Sequence, residues 1–134
     1  TFGSEDKRRK ILALWKSVLK SGEALDMSGG EQIVDLSPVE NVVDAILHLA
    51  LLMDVGSPKV ASGKSFCIHT GNASSLRDLA STVENILNTK LPINWGKLPY
   101  RSREIFNAIQ LDAAIPAWTP RHDIKIKIQE YFED

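Results

Sequence analysis

Gly29-Gly30-Glu31-Gln32-Ile33-Val34-Asp35-Leu36-Ser37-Pro38-Val39-Glu40-Asn41-Val42-Val43-Asp44-Ala45-Ile46 contains a turn, a short apolar segment and the opening of a helix. The paired glycines suit a tight turn, and Gln32 to Leu36 has the make-up of a short strand. Ser37 then offers its hydroxyl to the amide of Glu40, Glu40 reaches back, and Pro38 stands where a helix has no use for an N–H. The capping box predicts a helix carried onward by Val42, Val43, Ile46, Leu47, Ala50 and Leu51. Apolar residues cover more than half its circumference, so it is expected to be largely buried. His48, within this run, reads as a satisfied or surface-edge histidine rather than a ligand.

Upstream of the glycine turn, Leu25 to Met27 reads as another short strand. Before it, Ile11, Leu12, Leu14, Trp15, Val18 and Leu19 follow helical spacing and Gly22 ends the helix. Lys7-Arg8-Arg9-Lys10 lies near that helix start, where the macrodipole disfavours positive charge. The cluster is therefore either a solvated basic turn or a contact for an anionic ligand, with Arg8 and Lys10 as candidates.

Downstream, Asp54 to Lys64 is a loop of breakers, and Ser65 to Thr70 reads as a strand closed by Gly71-Asn72. In such a strand Phe66 and Ile68 share one face, Cys67 and His69 the other. Ser75 and Asp78 repeat the capping spacing before a helical stripe from Leu76 to Leu87 that stops at Asn88. Leu91 to Trp95 is a short extended segment, and Gly96 to Ser102 a loop carrying Tyr100 and Arg101. Because loops carry function more often than helices, this basic and aromatic loop is the first candidate for ligand contact. Arg103 to Ile109 reads as a short helix or turn, and Pro116 and Pro120 bracket Trp118 as a rigid aromatic anchor. In the tail, Ile124, Ile126 and Ile128 alternate as in a strand. Ile124, Ile128, Tyr131 and Phe132, however, share one helical face with Asp123 as cap, and the two aromatics fit only that period.

At 134 residues the chain has the size of one domain. Its 16 basic and 17 acidic residues leave no general electrostatic footprint for nucleic acid or a membrane surface, so any charged ligand must be met locally. The single cysteine has no partner for an internal disulfide, and no stretch has the length and apolarity of a membrane span. The cytoplasm is the expected setting. Cys67 and His69 are two apart, but no second pair with ligand spacing accompanies them, so no metal is expected. There is no glycine-rich phosphate loop between strand and helix, and no nucleophile elbow. Arg101, Arg103 and the Lys7 to Lys10 cluster remain as anion-capable groups. An arginine fork suits a pyrophosphate; on spacing alone, a pairing of Arg101 with Glu104 or water explains it equally well. Thr1-Phe2-Gly3 reads as the end of a strand running into a loop, so the chain is expected to be part of a longer protein.

The order of segments resembles the extended short-chain dehydrogenase/reductases, the NAD(P)-dependent nucleotide-sugar epimerases, dehydratases and reductases. Gly22 to Ile46 is similar to that family's glycine turn, Arg-Asp-Phe segment and Val-Asp-Asp-Val helix start. Thr1-Phe2-Gly3 resembles its Thr-Tyr-Gly-Pro, Ser65 to Leu79 its Phe-Asn-Val-Gly followed by Ser-Leu-Arg-Glu-Leu, and Trp118-Thr119-Pro120-Arg121 its Gly-Trp-x-Pro-Arg. The combination of Gly-Glu-Gln, Ile-Asn-Trp-Gly and Pro-Tyr-Arg is most similar to the deoxysugar-forming reductases. The resemblance implies an α/β fold: several helices with short strands, the C-terminal, substrate-binding part of a Rossmann-type enzyme whose dinucleotide-binding half lies upstream.

It also implies that NAD or NADP is bound mainly by that upstream half, with the catalytic Tyr-x-x-x-Lys pair, so the chain alone should be inactive. Tyr100-Arg101-Ser102-Arg103-Glu104 resembles the family's Arg-Pro-Gly-Asp/Glu loop, which makes Arg101 the expected contact to a nucleotide-diphosphate sugar, with Tyr100 and Arg103 beside it. Two departures stand out. Val34 replaces the family's arginine before Asp35, and Asn41 its second helix-start aspartate. The lost phosphate contact either shifts that task to the Lys7 to Lys10 cluster or means that the substrate is not an ordinary nucleotide sugar, and it favours the alternative of a non-catalytic binding or regulatory module. A partial chain of this kind should leave apolar surface on Ser65 to Thr70 and on the helix from Val42, to be covered by the upstream half or by another copy in a homo-oligomer.

Overall fold

The computed structural model describes residues 1–4, 6, 8–57, 63–107 and 113–133. In chain order its elements are α1 (Ile11–Ser21), β1 (Leu25–Met27), β2 (Ile33–Val34), α2 (Val39–Asp54), β3 (Ser74–Ser75), α3 (Leu76–Leu87), β4 (Ile93–Trp95) and α4 (Ile124–Glu133). The helical stripes read from the sequence build the core. α1 turns Leu12 and Trp15 inward and ends at Gly22, whose φ of 73° lets its amide reach the Val18 carbonyl. α3 buries Leu76, Leu79, Ala80 and Val83. Ser75 caps it, accepting the Asp78 amide at 3.1 Å, and Asn88 closes it in the left-handed region. α4 contributes Ile128 and Tyr131, with Asp123 accepting the Lys125 amide at 2.7 Å. Phe2 joins this core edge-on to Tyr131, the ring centroids 6.0 Å apart.

The two strands beside the glycine turn form, but each pairs elsewhere. β1 runs parallel to β4, with Met27 opposite Trp95, and β2 runs antiparallel to β3, with Ile33 opposite Ser75. Ser65 to Thr70 is not a strand: among the described residues it makes a single bridge, Cys67 to Ala114, and has no further ladder partner. Its end is fixed by a side chain, Asp35, whose carboxylate accepts both the amide and the hydroxyl of Thr70. Arg103 to Asn107 is non-helical, and the remainder of that expected short helix, Ala108 and Ile109, lies outside the described residues.

The capping box at Ser37 does not form: no side chain caps the helix, and the Ser37 hydroxyl donates to the Pro38 carbonyl at 3.3 Å instead of accepting the Glu40 amide. The Phe2 carbonyl accepts the Val39 amide at 2.8 Å, and the Phe2 amide donates to the Ser37 carbonyl at 3.1 Å. Glu40 meets Lys127 of α4 at 3.0 Å instead of reaching back. α2 therefore opens at Val39, one residue past Pro38. Nor is α2 largely buried. Its inward positions are Asn41 and Ala45, while Ile46, Leu47 and Leu51 are 55%, 60% and 66% exposed. The polar stripe decides this. Asn41 holds the backbone of Arg121 and His122, Asp44 accepts the Trp118 indole N–H at 2.8 Å, and His48 donates to the Pro116 carbonyl at 2.9 Å. The segment from Pro116 to His122 is clasped by one side of the helix, which turns the apolar side outward. Uncovered apolar surface on this helix is what the resemblance implied.

Candidate functional site

The two small sheets converge on the glycine turn. Pairing of β1 with β4 lays the following loop along the exit of β1, Gly96 donating to the Ser28 carbonyl and Leu98 to the Met27 carbonyl, both at 3.2 Å. Pairing of β2 with β3 brings the first turn of α3 to the other side, where the amides of Leu76 and Arg77 reach the carbonyls of Gln32 and Gly30. Gly30 has φ 78°, and the space a Cβ would take is filled by the Trp95 ring and the Arg77 stem. At Gly29 the corresponding space is taken by the Tyr100 hydroxyl. Both glycines sit in close contact with neighbouring side chains rather than forming an open cradle, and at Gly30 the positive φ also requires glycine.

Tyr100 braces the turn from the loop side. Its hydroxyl accepts the Glu31 amide and donates to the Glu31 carboxylate, each at 3.2 Å, and its ring meets Phe106 edge-on at 4.8 Å. Phe106 is tied in turn by its carbonyl, which accepts the Ile33 amide at 2.7 Å. From the opposite side the Arg77 guanidinium lies over the Trp95 indole, 5.0 Å from its centroid, and Nε donates to the Gly29 carbonyl. Sequence reasoning missed Arg77 and Trp95, because nothing local to either signals the other; only the two strand pairings bring them together.

The five residues expected to meet substrate fall into two groups. Arg101 and Arg103 are exposed on the loop that Tyr100 anchors, and the Glu104 amide closes a turn on the Arg101 carbonyl at 3.1 Å. Among the described residues neither guanidinium has a hydrogen-bonding or ion-pair partner, and the pairing with Glu104 is not made. Arg8 and Lys10 lie before α1, where Arg8 lines a cleft of about 370 Å³ with Thr1, Gly3, Val39 and Glu40. Arg8 already grips Asp6 bidentately at 2.6 and 2.7 Å. That guanidinium, by its hydrogen bond first, holds the Asp6 carboxyl at about 2. Lys10 donates to the Thr1 carbonyl at 3.2 Å and stands 3.9 Å from Asp6. The first group presents open cations, the second compensated ones, and no contact among the described residues joins them. Lys7 lies outside the described residues.

Val34, in the place of the family's arginine, packs against the hydrophobic core and offers no charge. No three His, Cys, Asp or Glu side chains converge among the described residues. No described helix is long and apolar enough to cross a membrane.

Comparison with solved structures decides what this arrangement is. The UDP-glucuronic acid 4-epimerase of Bacillus cereus, in complex with UDP-4-deoxy-4-fluoro-glucuronic acid and NAD, matches 98% of this chain and 42% of its own at a TM-score of 0.76 and 16% identity. The dTDP-glucose 4,6-dehydratase of Streptomyces venezuelae, with NAD bound, matches 98% of this chain and 40% of its own at 0.76 and 15% identity. The UDP-glucose 4-epimerase of Thermotoga maritima, with UDP-glucose, gives 0.72 at 22% identity over 98% of this chain and 43% of its own. This is the fold of the extended short-chain dehydrogenase/reductases. The CDP-abequose synthase of Yersinia pseudotuberculosis is 25% identical over 105 residues, 78% of this chain and 35% of that protein. The chain thus spans about a third of this curated relative and two fifths of the extended short-chain dehydrogenase/reductase structures it matches. No family model matches it.

Proposed function

We infer that this chain is the C-terminal, substrate-holding portion of an NAD(P)-dependent nucleotide-sugar epimerase, dehydratase or reductase, and that Arg101 grips the nucleotide diphosphate with Tyr100 and Arg103 beside it. The observation that carries this reading is the Arg101 guanidinium, open on a loop that Tyr100 fixes to the glycine turn. A guanidinium held at its base and unpaired at its tip suits a bidentate diphosphate contact. Arg8, in the cleft beside the α2 start, and Lys10, near it before α1, are secondary contacts.

The outward face of α2 supports the same reading. Burying a valine, leucine or isoleucine side chain stabilises a protein by about 1.5–3 kcal/mol, whereas a side-chain hydrogen bond contributes about 1 kcal/mol. The apolar stripe of Val43, Ile46, Leu47 and Leu51 thus has more to gain from a cover than the polar stripe has to lose. Its partner is the nucleotide-binding half, or a second copy in a homo-oligomer. The residues of this chain do not fit the dinucleotide itself, since the paired-glycine turn is filled by Trp95, Arg77 and Tyr100. NAD or NADP belongs to the other half, with the proton-transferring side chains, and this chain alone is inactive. Isothermal titration of the full-length protein with CDP, UDP and dTDP tests the reading: binding of one of them that Arg101→Met weakens supports it, and no binding refutes it.

Val34 favours a second reading, a non-catalytic module of the same fold, because a neutral core residue replaces a phosphate contact. Binding of NAD(H) without any nucleotide sugar in the same titrations would select that reading.

A further inference from the structure

The geometry points to Arg77 as the positioning residue of the Arg101 loop, an inference that rests on Arg101 being the diphosphate contact. Arg77 is exposed on the first turn of α3, where a guanidinium ordinarily stays in solvent. Here it is held on two sides. Its guanidinium carbon stands over the Trp95 ring, 5.0 Å from the centroid, and its Nε–H donates to the Gly29 carbonyl. A guanidinium can do both at once, because its charge is spread over several N–H groups, one of which meets the carbonyl while the cation stays near the ring, whereas an ammonium is a single point charge.

What Arg77 holds is the turn that Tyr100 leans on. The Arg77 amide is anchored to the Gly30 carbonyl at 3.1 Å, and Leu76 and Leu79 on either side of it are buried, so its backbone is fixed by the core. Arg77 and Trp95 fill the Cβ space of Gly30, and the Tyr100 hydroxyl fills that of Gly29. The turn is therefore clamped between α3 and the loop, and its position passes to Tyr100 through Glu31. Arg101 is the next residue. Because Val34 packs against the core and offers no charge, the aim of Arg101 has to come from elsewhere, and this contact chain supplies it from α3.

Two substitutions reach the clamp from opposite ends. Arg77→Met keeps an apolar stem over Trp95 and removes the Nε–H. Gly29→Ala leaves Arg77 in place and drives a methyl group into the Tyr100 hydroxyl; Gly29 is not among the glycines in the left-handed region, so alanine is tolerated by the backbone. Both variants, with Arg101→Met as reference, are made in the full-length protein and titrated with CDP, UDP, dTDP and the corresponding monophosphates. Digestion with trypsin, which cuts after Arg101 and Arg103, reports the loop directly. The expected result is a diphosphate affinity lowered about tenfold in Arg77→Met and Gly29→Ala, the scale of one misaligned charge-assisted hydrogen bond. Monophosphate affinities should move less, cutting at Arg101 and Arg103 should be faster, thermal midpoints should stay near wild type, and Arg77→Lys should be intermediate. If Arg101→Met weakens the diphosphates while Arg77→Met and Gly29→Ala leave affinity and cutting unchanged, the positioning role is overturned and the Arg101 reading stands. If Arg101→Met is also without effect, both fall.

Discussion

Asn41 uses both ends of its amide, Nδ2 donating to the His122 carbonyl at 3.0 Å and Oδ1 accepting the amides of Arg121 and His122 at 3.1 and 2.9 Å. The residue is fully buried, so each of these bonds is made without competition from water. Asn41→Asp would keep the two accepted bonds and set a second carboxylate oxygen against the His122 carbonyl. We expect a loss of about 1–3 kcal/mol, read as a lower urea midpoint at unchanged slope; an unchanged midpoint would refute the clamp. Asp6 offers a pH test. Its folded value, about 2, lies below the ordinary 3.8, so the stabilisation from the Arg8 pair is complete above the unfolded value and is lost as pH falls through about 2. An NMR titration of the Asp6 carboxyl should show a midpoint near 2, and a midpoint near 3.8 would contradict the pairing. The roles of Asn41 and Asp6 were not legible in the sequence, since their partners are set by tertiary contact or by a local loop geometry that no periodicity encodes.

Among the elements, α1, α3 and α4 were legible because each carries its own apolar stripe and, for α3, its own Ser75 cap. α2 misled for the opposite reason. Its stripe is as regular as theirs, but among the described residues Asn41, Asp44 and His48 have partners while Val43, Ile46, Leu47 and Leu51 stay exposed. The capping box at Ser37 failed because Lys127, distant in sequence, takes the Glu40 carboxylate and the Ser37 hydroxyl turns to the Pro38 carbonyl. Strand segments were visible at β1, β2 and β4 but not at β3, and Ser65 to Thr70 reads as a strand without being one. No pairing was legible, as two- and three-residue strands carry too little pattern to specify a register. The outward face of α2 gives a prediction of its own. Leu47→Glu with Leu51→Glu should alter the unfolding free energy of these 134 residues by less than about 0.5 kcal/mol, because both side chains already meet water. In the full-length protein the same pair should cost at least about 2 kcal/mol, measured by chemical denaturation. Equal effects in the two settings would show that nothing covers the face.

Taken whole, the molecule separates scaffold from contact. The Gly29 to Ile46 stretch supplies the scaffold: a filled turn, Asp35 tied to Thr70, and a helix that grips the C-terminal segment on one side. With a net charge of only −1, attraction of an anion depends on local groups, and the two basic groups differ in availability. Arg8 is committed to Asp6, while Arg101 and Arg103 are exposed and, among the described residues, unpaired. The candidate loop was legible because its basic and aromatic residues are contiguous; its brace from α3 was not, because Arg77 and Trp95 meet only through the fold. The central claim is that Arg101 holds a nucleotide diphosphate, and calorimetric titration of the full-length protein and its Arg101→Met variant with CDP, UDP and dTDP tests it most directly. The account predicts binding of at least one of the three and an affinity at least about tenfold weaker in the variant, the loss of one charge-assisted bidentate contact. Absence of binding by all three, or equal affinity in the two proteins, would contradict it.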